Sequence, residues 1–144
     1  MNRRVQGAER GSFALETAVV APFVLGIILL VVFAGRYALA TQSVNSAAAS
    51  AARTASIART ASDARSTANS AAVLSLASQE ISCATVDVKV DTSGFKAEVG
   101  LPATVAATVT CQLDLAGLSM IGLPGSMTIS AESSSPLDTY RERR

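Results

Sequence analysis

The chain has 144 residues, a net charge of +1 and no histidine, so it has room for one small domain beside a membrane segment and lacks the commonest general base and metal ligand. Two cysteines are too few for a four-ligand zinc site, and no basic stripe or tryptophan offers a nucleic-acid surface. No Ser/Lys or carboxylate-pair spacing activates the many serines, so the composition argues against an enzyme, a bound cofactor or metal, and a small-molecule substrate.

Residues 1–11 form a basic leader, with Arg3, Arg4 and Arg10 against Glu9. Gly11-Ser12-Phe13-Ala14-Leu15-Glu16 follows, and then an uncharged apolar run from Thr17 to Gly35. That run of about nineteen residues spans roughly 28 Å as a helix, close to one hydrocarbon core. Pro22 lies inside it, where membrane helices tolerate a proline better than soluble ones do. Arg36 and Tyr37 mark an interface, and the leader's positive charge places the N-terminus in the cytoplasm.

Three readings of this segment compete. One is an ordinary signal anchor. The second is a cleavable secretory signal, because Ala38-Leu39-Ala40 is an A-x-A-like site just after the apolar run. The third is a prepilin-type leader, cut on the cytoplasmic side after Gly11, so that the helix stays with a mature chain beginning at Ser12. Glu16 is costly at the edge of hydrocarbon unless it has a use. It either caps the helix N-terminus, where the dipole favours it by roughly 0.3–1 kcal/mol, or it serves assembly.

Arg10-Gly11-Ser12-x-x-x-Glu16, the apolar run with Pro22, and Gly35-Arg36-Tyr37 resemble the start of TadE-like proteins, the pseudopilins or minor pilins of the Flp/Tad type IVb pilus system. Ser46-Ala47-Ala48-Ala49-Ser50-Ala51-Ala52-Arg53 is similar to the family's alanine-rich stretch with an arginine after the membrane helix. The chain departs from the pattern at Thr17, where the family commonly has an aromatic or apolar residue, and in the serine and threonine content of the stretch. The resemblance implies processing between Gly11 and Ser12 by a prepilin peptidase. It implies Glu16 as the assembly residue, neutralised by a neighbouring subunit's amine at Ser12. The partners implied are that peptidase, other pilins and the platform proteins of the pilus, and the work implied is structural, in an adhesive surface pilus. The alternative from another class is a secreted or signal-anchored binding module, cut after Ala40 or uncut, with no need of Glu16.

Ala38–Gln79 has neither proline nor glycine and is rich in alanine, so the membrane helix is expected to continue as an arm, fraying near Ser75–Ser82. A hexad repeat runs through it as Ala52–Ile57, Ala58–Asp63 and Ala64–Asn69. Six residues turn a helix by about 600°, so Arg53, Arg59 and Arg65 would point in three directions as solvated charges. Val44, Ala47 or Ala48, Ala51, Ala55 and Ala58 recur at helical spacing and form a face for close approach to the C-terminal sheet or to neighbouring subunits.

Beyond Ser82 the period changes to two. Val86, Val88 and Val90 alternate with Asp87, Lys89 and Asp91, and Thr92-Ser93-Gly94 signals a turn. Phe95–Val99 alternates again, so a hairpin is expected, ended by Leu101-Pro102. Thr104–Leu113 reads as a third strand, Asp114–Gly125 as a loop with some buried contacts, and Met127, Ile129 and Ala131 as a fourth strand. Outside the cytoplasm, Cys83 and Cys111 are expected to form a disulfide, whose loop of about 28 residues stabilises by roughly 3–4 kcal/mol; otherwise they are two separate buried thiols.

The expected architecture is α+β: a long N-terminal transmembrane α-helix extended by an Ala-rich helical arm, followed by a small antiparallel β-sheet domain. Its segments are a cleaved leader at 1–11, a transmembrane helix at 12–37, an extracytoplasmic helix at 38–80, a β domain at 81–133 and a charged flexible tail at 134–144. The protein is expected in the cell membrane as a single-pass chain, with the C-terminal domain outside the cytoplasm.

Overall fold

A computed structural model describes residues 6–114 and 125–140, with side chains from 16 to 113 and from 125 to 140. It has two compact units, Met1–Ala38 and Leu39–Arg144. Helix α1 is Gln6–Ile57 and α2 is Ala61–Ser78; strands β1 (Cys83–Asp91), β2 (Thr104–Asp114) and β3 (Ser126–Pro136) form an antiparallel sheet in the order β1-β2-β3. The expected α+β architecture, with an apolar helix long enough to cross a membrane and a small antiparallel sheet, is what the chain adopts.

The first unit is the apolar part of α1. From Val19 to Val32 its large apolar side chains all stand exposed, Leu30 at 68% and Phe23 at 71%. Pro22 sits within the helix.

In the second unit, α1 contributes the buried residues Ala40, Val44, Ala47, Ala48, Ala51 and Ala55; from Val44 on these are the small face anticipated from their spacing, whose last member, Ala58, lies beyond α1 and is only partly buried. Helix α2 adds Ala64, Ala68, Ala72 and Leu76, one residue per helical turn. Both cover one face of the sheet, where Val105, Ala107, Val109 and Cys111 of the central strand are fully buried. The opposite face is polar, tied by Thr110–Ser130 at 3.1 Å and by the Thr85 hydroxyl donating to Gln112 at 3.2 Å.

The arm is not one helix. It breaks at Ala58–Thr60, because Thr60 caps α2: its hydroxyl accepts the Asp63 amide at 3.1 Å. The preceding copy of the hexad offers Thr54 with Ile57 three residues on, and Thr54 instead donates back to the Ser50 carbonyl at 2.8 Å. The two copies differ at the third position after the threonine, which is Asp63 in the capping copy and Ile57 in the helix-interior copy. The other end of α2 runs to Ser78 and closes in a Schellman motif: the Glu80 amide donates to Ala77 at 3.1 Å and the Ile81 amide to Leu76 at 3.3 Å. Glu80 takes the left-handed conformation there, φ 56°, usually a glycine's position.

The expected strand at Phe95–Val99 is absent. Ser93–Lys96 is a 3-10 turn that buries Phe95, so its alternation with Lys96 and Glu98 is not a sheet pattern. Gly94 makes the turn possible, because a Cβ there would collide with the Thr104 carbonyl oxygen and lie 3.1 Å from Leu137 Cδ1. Asp91 accepts the Ser93 amide at 2.9 Å, and the Ser93 amide and hydroxyl hold its carboxyl below the usual value. The sheet also extends past residue 133: β3 runs to Pro136, Leu137 is buried, and the Leu137 and Gly100 amides donate to Ala103 and Thr139 at 2.8 Å. Residues 134–140 are thus tied in rather than a free tail; the loop expected at Asp114–Gly125 lies mostly outside the described residues, as does 141–144.

Cys83 and Cys111 form a disulfide, their Cα atoms 5.5 Å apart. Residue parity alone would set Cys83 on the face opposite Val86, Val88 and Val90. A bulge between Cys83 and Thr85 corrects this: Thr85 lies opposite Gln112, yet Cys83 lies opposite Leu113, so the extra residue turns Cys83 to the covered face.

Two outcomes follow for unfolding of the full chain in detergent micelles. Glu80→Gly relieves the left-handed backbone and raises stability by about 1 kcal/mol. Reduction of the Cys83–Cys111 bond lowers it by roughly 3–4 kcal/mol, read as a fall in the denaturant midpoint.

Candidate functional site

Residues 11 and 12 lie in the second turn of α1, so the backbone at Gly11 and Ser12 is helical; their side chains lie outside the described residues. Gly7 and Gly11 each weaken this first part of the helix by roughly 1 kcal/mol relative to alanine.

Glu16 begins the described side chains and is exposed. It shares a helix face with Thr17, Val20, Ala21, Val24, Leu25 and Ile28. The four-residue steps from Glu16 through Val20 and Val24 to Ile28 put a carboxylate at the end of an apolar stripe. Ionised, it is stable only in water or beside a cation, whereas the stripe is stable only in lipid or against another helix. A second chain that covers the stripe must therefore also deal with the charge.

The structure joins Cys83 to Cys111 and places Gly11, Ser12 and Glu16 along one helical segment; the two sets fall in different compact units. Among the described residues no group of three or more histidine, cysteine, aspartate or glutamate side chains comes together as a metal site.

One tie was missed in the sequence. Arg65 is not simply a solvated charge: its Nη2 donates at 2.8 Å to Oγ1 of Thr92, which is 7% exposed. It joins α2 to the turn after β1, and nothing in the hexad repeat distinguishes Arg65 from Arg53 or Arg59. A second tie joins α1 to β3, where the Ser135 hydroxyl donates to that of Ser56 at 3.1 Å.

No curated protein and no solved structure gives a significant match to this chain. Residues 11–53, which hold Gly11, Ser12, Glu16, the apolar run and the alanine-rich stretch through Arg53, match the family model described as TadE-like protein, and the match associates this segment with the Tad pilus system.

Proposed function

We propose that this chain is a membrane-anchored pseudopilin or minor pilin that takes part in assembling a Tad/Flp-type adhesive pilus. The observation that carries the reading is the family match over residues 11–53, which begins at the residue of the inferred cut and includes Glu16 and the whole apolar run. In this reading the leader stays in the cytoplasm, the apolar part of α1 spans the membrane, and the second unit stands outside it. A prepilin peptidase cuts between Gly11 and Ser12, which removes the leader and frees an α-amine four residues before Glu16.

The chemistry of assembly then follows from the stripe. When α1 packs against another pilin helix, Glu16 leaves water, and a buried carboxylate needs a partner. The new amine at Ser12 of a neighbouring subunit is positively charged and supplies one. Stranding one member of such a pair costs on the order of 3–5 kcal/mol, so subunits out of axial register are rejected. The role is structural, without catalysis, and the partners are the peptidase, other pilins and the membrane platform of the pilus.

The position of Ala40 favours this reading over a secretory cut after that residue. Ala40 is 5% exposed in the core of the second unit, and α1 runs on without interruption to Ile57. A cut there would remove a buried residue from the domain it releases.

The N-terminus and intact mass of the protein recovered from host membranes test the reading: a chain starting at Ser12 is expected, and one starting at Thr41 overturns it. Glu16→Ala is expected to leave the processed protein in the membrane at its usual amount and to lower its incorporation or piliation at least tenfold. Unaltered piliation in that variant would remove the assembly role from Glu16.

A further inference from the structure

We propose that the sheet pairs edge to edge with a second copy of this chain, β3 of one copy lying parallel to β1 of the next.

Both outer strands have one partner, since the order is β1-β2-β3 and no described residue pairs with either outer edge. Edges of this kind are templates for further strands unless they carry devices that prevent pairing. Strand β3 carries few. It pairs with β2 in unbroken register from Ser126 to Pro136, its proline is terminal, and Glu132 is its one charge. The bulge on β1 is confined to its first residues, so Thr85–Asp91 is regular. The covered face of β1 is also incomplete: Val86, Val88 and Val90 are only partly buried, whereas Cys111, Val109 and Ala107 opposite them are fully buried.

The two edges are complementary rung by rung. Through their shared partners on β2, Thr85 is level with Thr128, Asp87 with Ser130, Lys89 with Glu132, and Asp91 with Ser134. All eight lie on the polar face. Lys89, the one cation on β1, thus shares a rung with the one charge on β3, and each aspartate shares one with a serine that can donate to it. A second copy displaced along the sheet without change of level brings Glu132 beside Lys89, and Ser130 and Ser134 beside Asp87 and Asp91. On the covered face it sets Ile129 beside Val86 and Ala131 beside Val88. Strands β1 and β3 run in the same direction, so this pairing is parallel and keeps both copies pointing the same way, as anchorage in a common membrane requires. An antiparallel β3–β3 pair reverses one copy and leaves Lys89 with its existing ion pair to Asp87 at 3.7 Å.

Glu132 and Lys89 are exposed, Lys89 at 81%, so both are open to substitution without loss of the fold. Sedimentation of the full chain in detergent micelles, over a concentration series, is the test. The wild type is expected to self-associate. Glu132→Lys and Lys89→Glu are each expected to weaken association about tenfold, and the double reversal to restore it to within about threefold. Unchanged far-UV circular dichroism and an intact Cys83–Cys111 bond exclude misfolding, and a photoreactive group at Ser130 is expected to attach to residues 85–89 of another copy. A monomeric wild type, association indifferent to either single reversal, or a double variant as weak as the singles overturns the proposal.

Discussion

The second unit depends on how closely its helices approach its sheet. With few exceptions, the buried residues of α1 and α2 are alanines, with Ser43 and Val44 among those of α1 and Leu76 at the end of α2. Small side chains permit close backbone approach, but each removes little apolar area from water. Ties that fix the pieces in place add to this burial: the Thr60 cap, the Arg65–Thr92 and Ser56–Ser135 hydrogen bonds, and the disulfide. The constraint also explains the steric demand at Gly94. Where the turn after β1 closes over the start of β2, not even a methyl group fits between the two backbones.

Much of this organisation could be read in the residues. The apolar run, the change of period after Ser82, the small face of α1 and the cysteine pair each carry a physical pattern that survives folding. Two misreadings share a cause, in that a local pattern was overruled by a partner distant in sequence. Phe95–Val99 alternates like a strand, yet Phe95 is taken into the core and the backbone turns instead. Ser134–Pro136 reads as the start of a tail because serine and proline are poor strand formers, but its backbone pairs with Thr104–Ala106 and holds it extended. Leu137, an apolar residue amid a polar tail, was the available clue that the chain was still packed. The break before α2 was legible locally: Thr60-Ala61-Ser62-Asp63 is a capping sequence hidden within a repeat that promotes helix on either side. Arg65 could not be singled out, since its hydrogen bond depends on where the turn at Thr92 falls.

Helix α1 serves two solvents with one set of backbone hydrogen bonds. Its apolar run has large side chains facing outward all round, while its later residues bury small ones on a single face. The family match takes in both parts, the run and the alanine-rich stretch together, and ends at Arg53, before the helix does. Glu16 is the exception in the first part, an ionisable group at the mouth of a surface that otherwise only lipid or another helix satisfies.

The bulge at the start of β1 makes the disulfide a check on strand alignment. A one-residue slip of β1 along β2 would turn its valines to water and, at the other end, send Cys83 to the wrong side of the sheet. Oxidation then has no neighbouring sulfur to capture, and the chain keeps two free thiols in place of the bond. The covalent bond closes on one alignment alone, so it acts as a proofreading step: chains that have locked are those whose strands were already correctly paired.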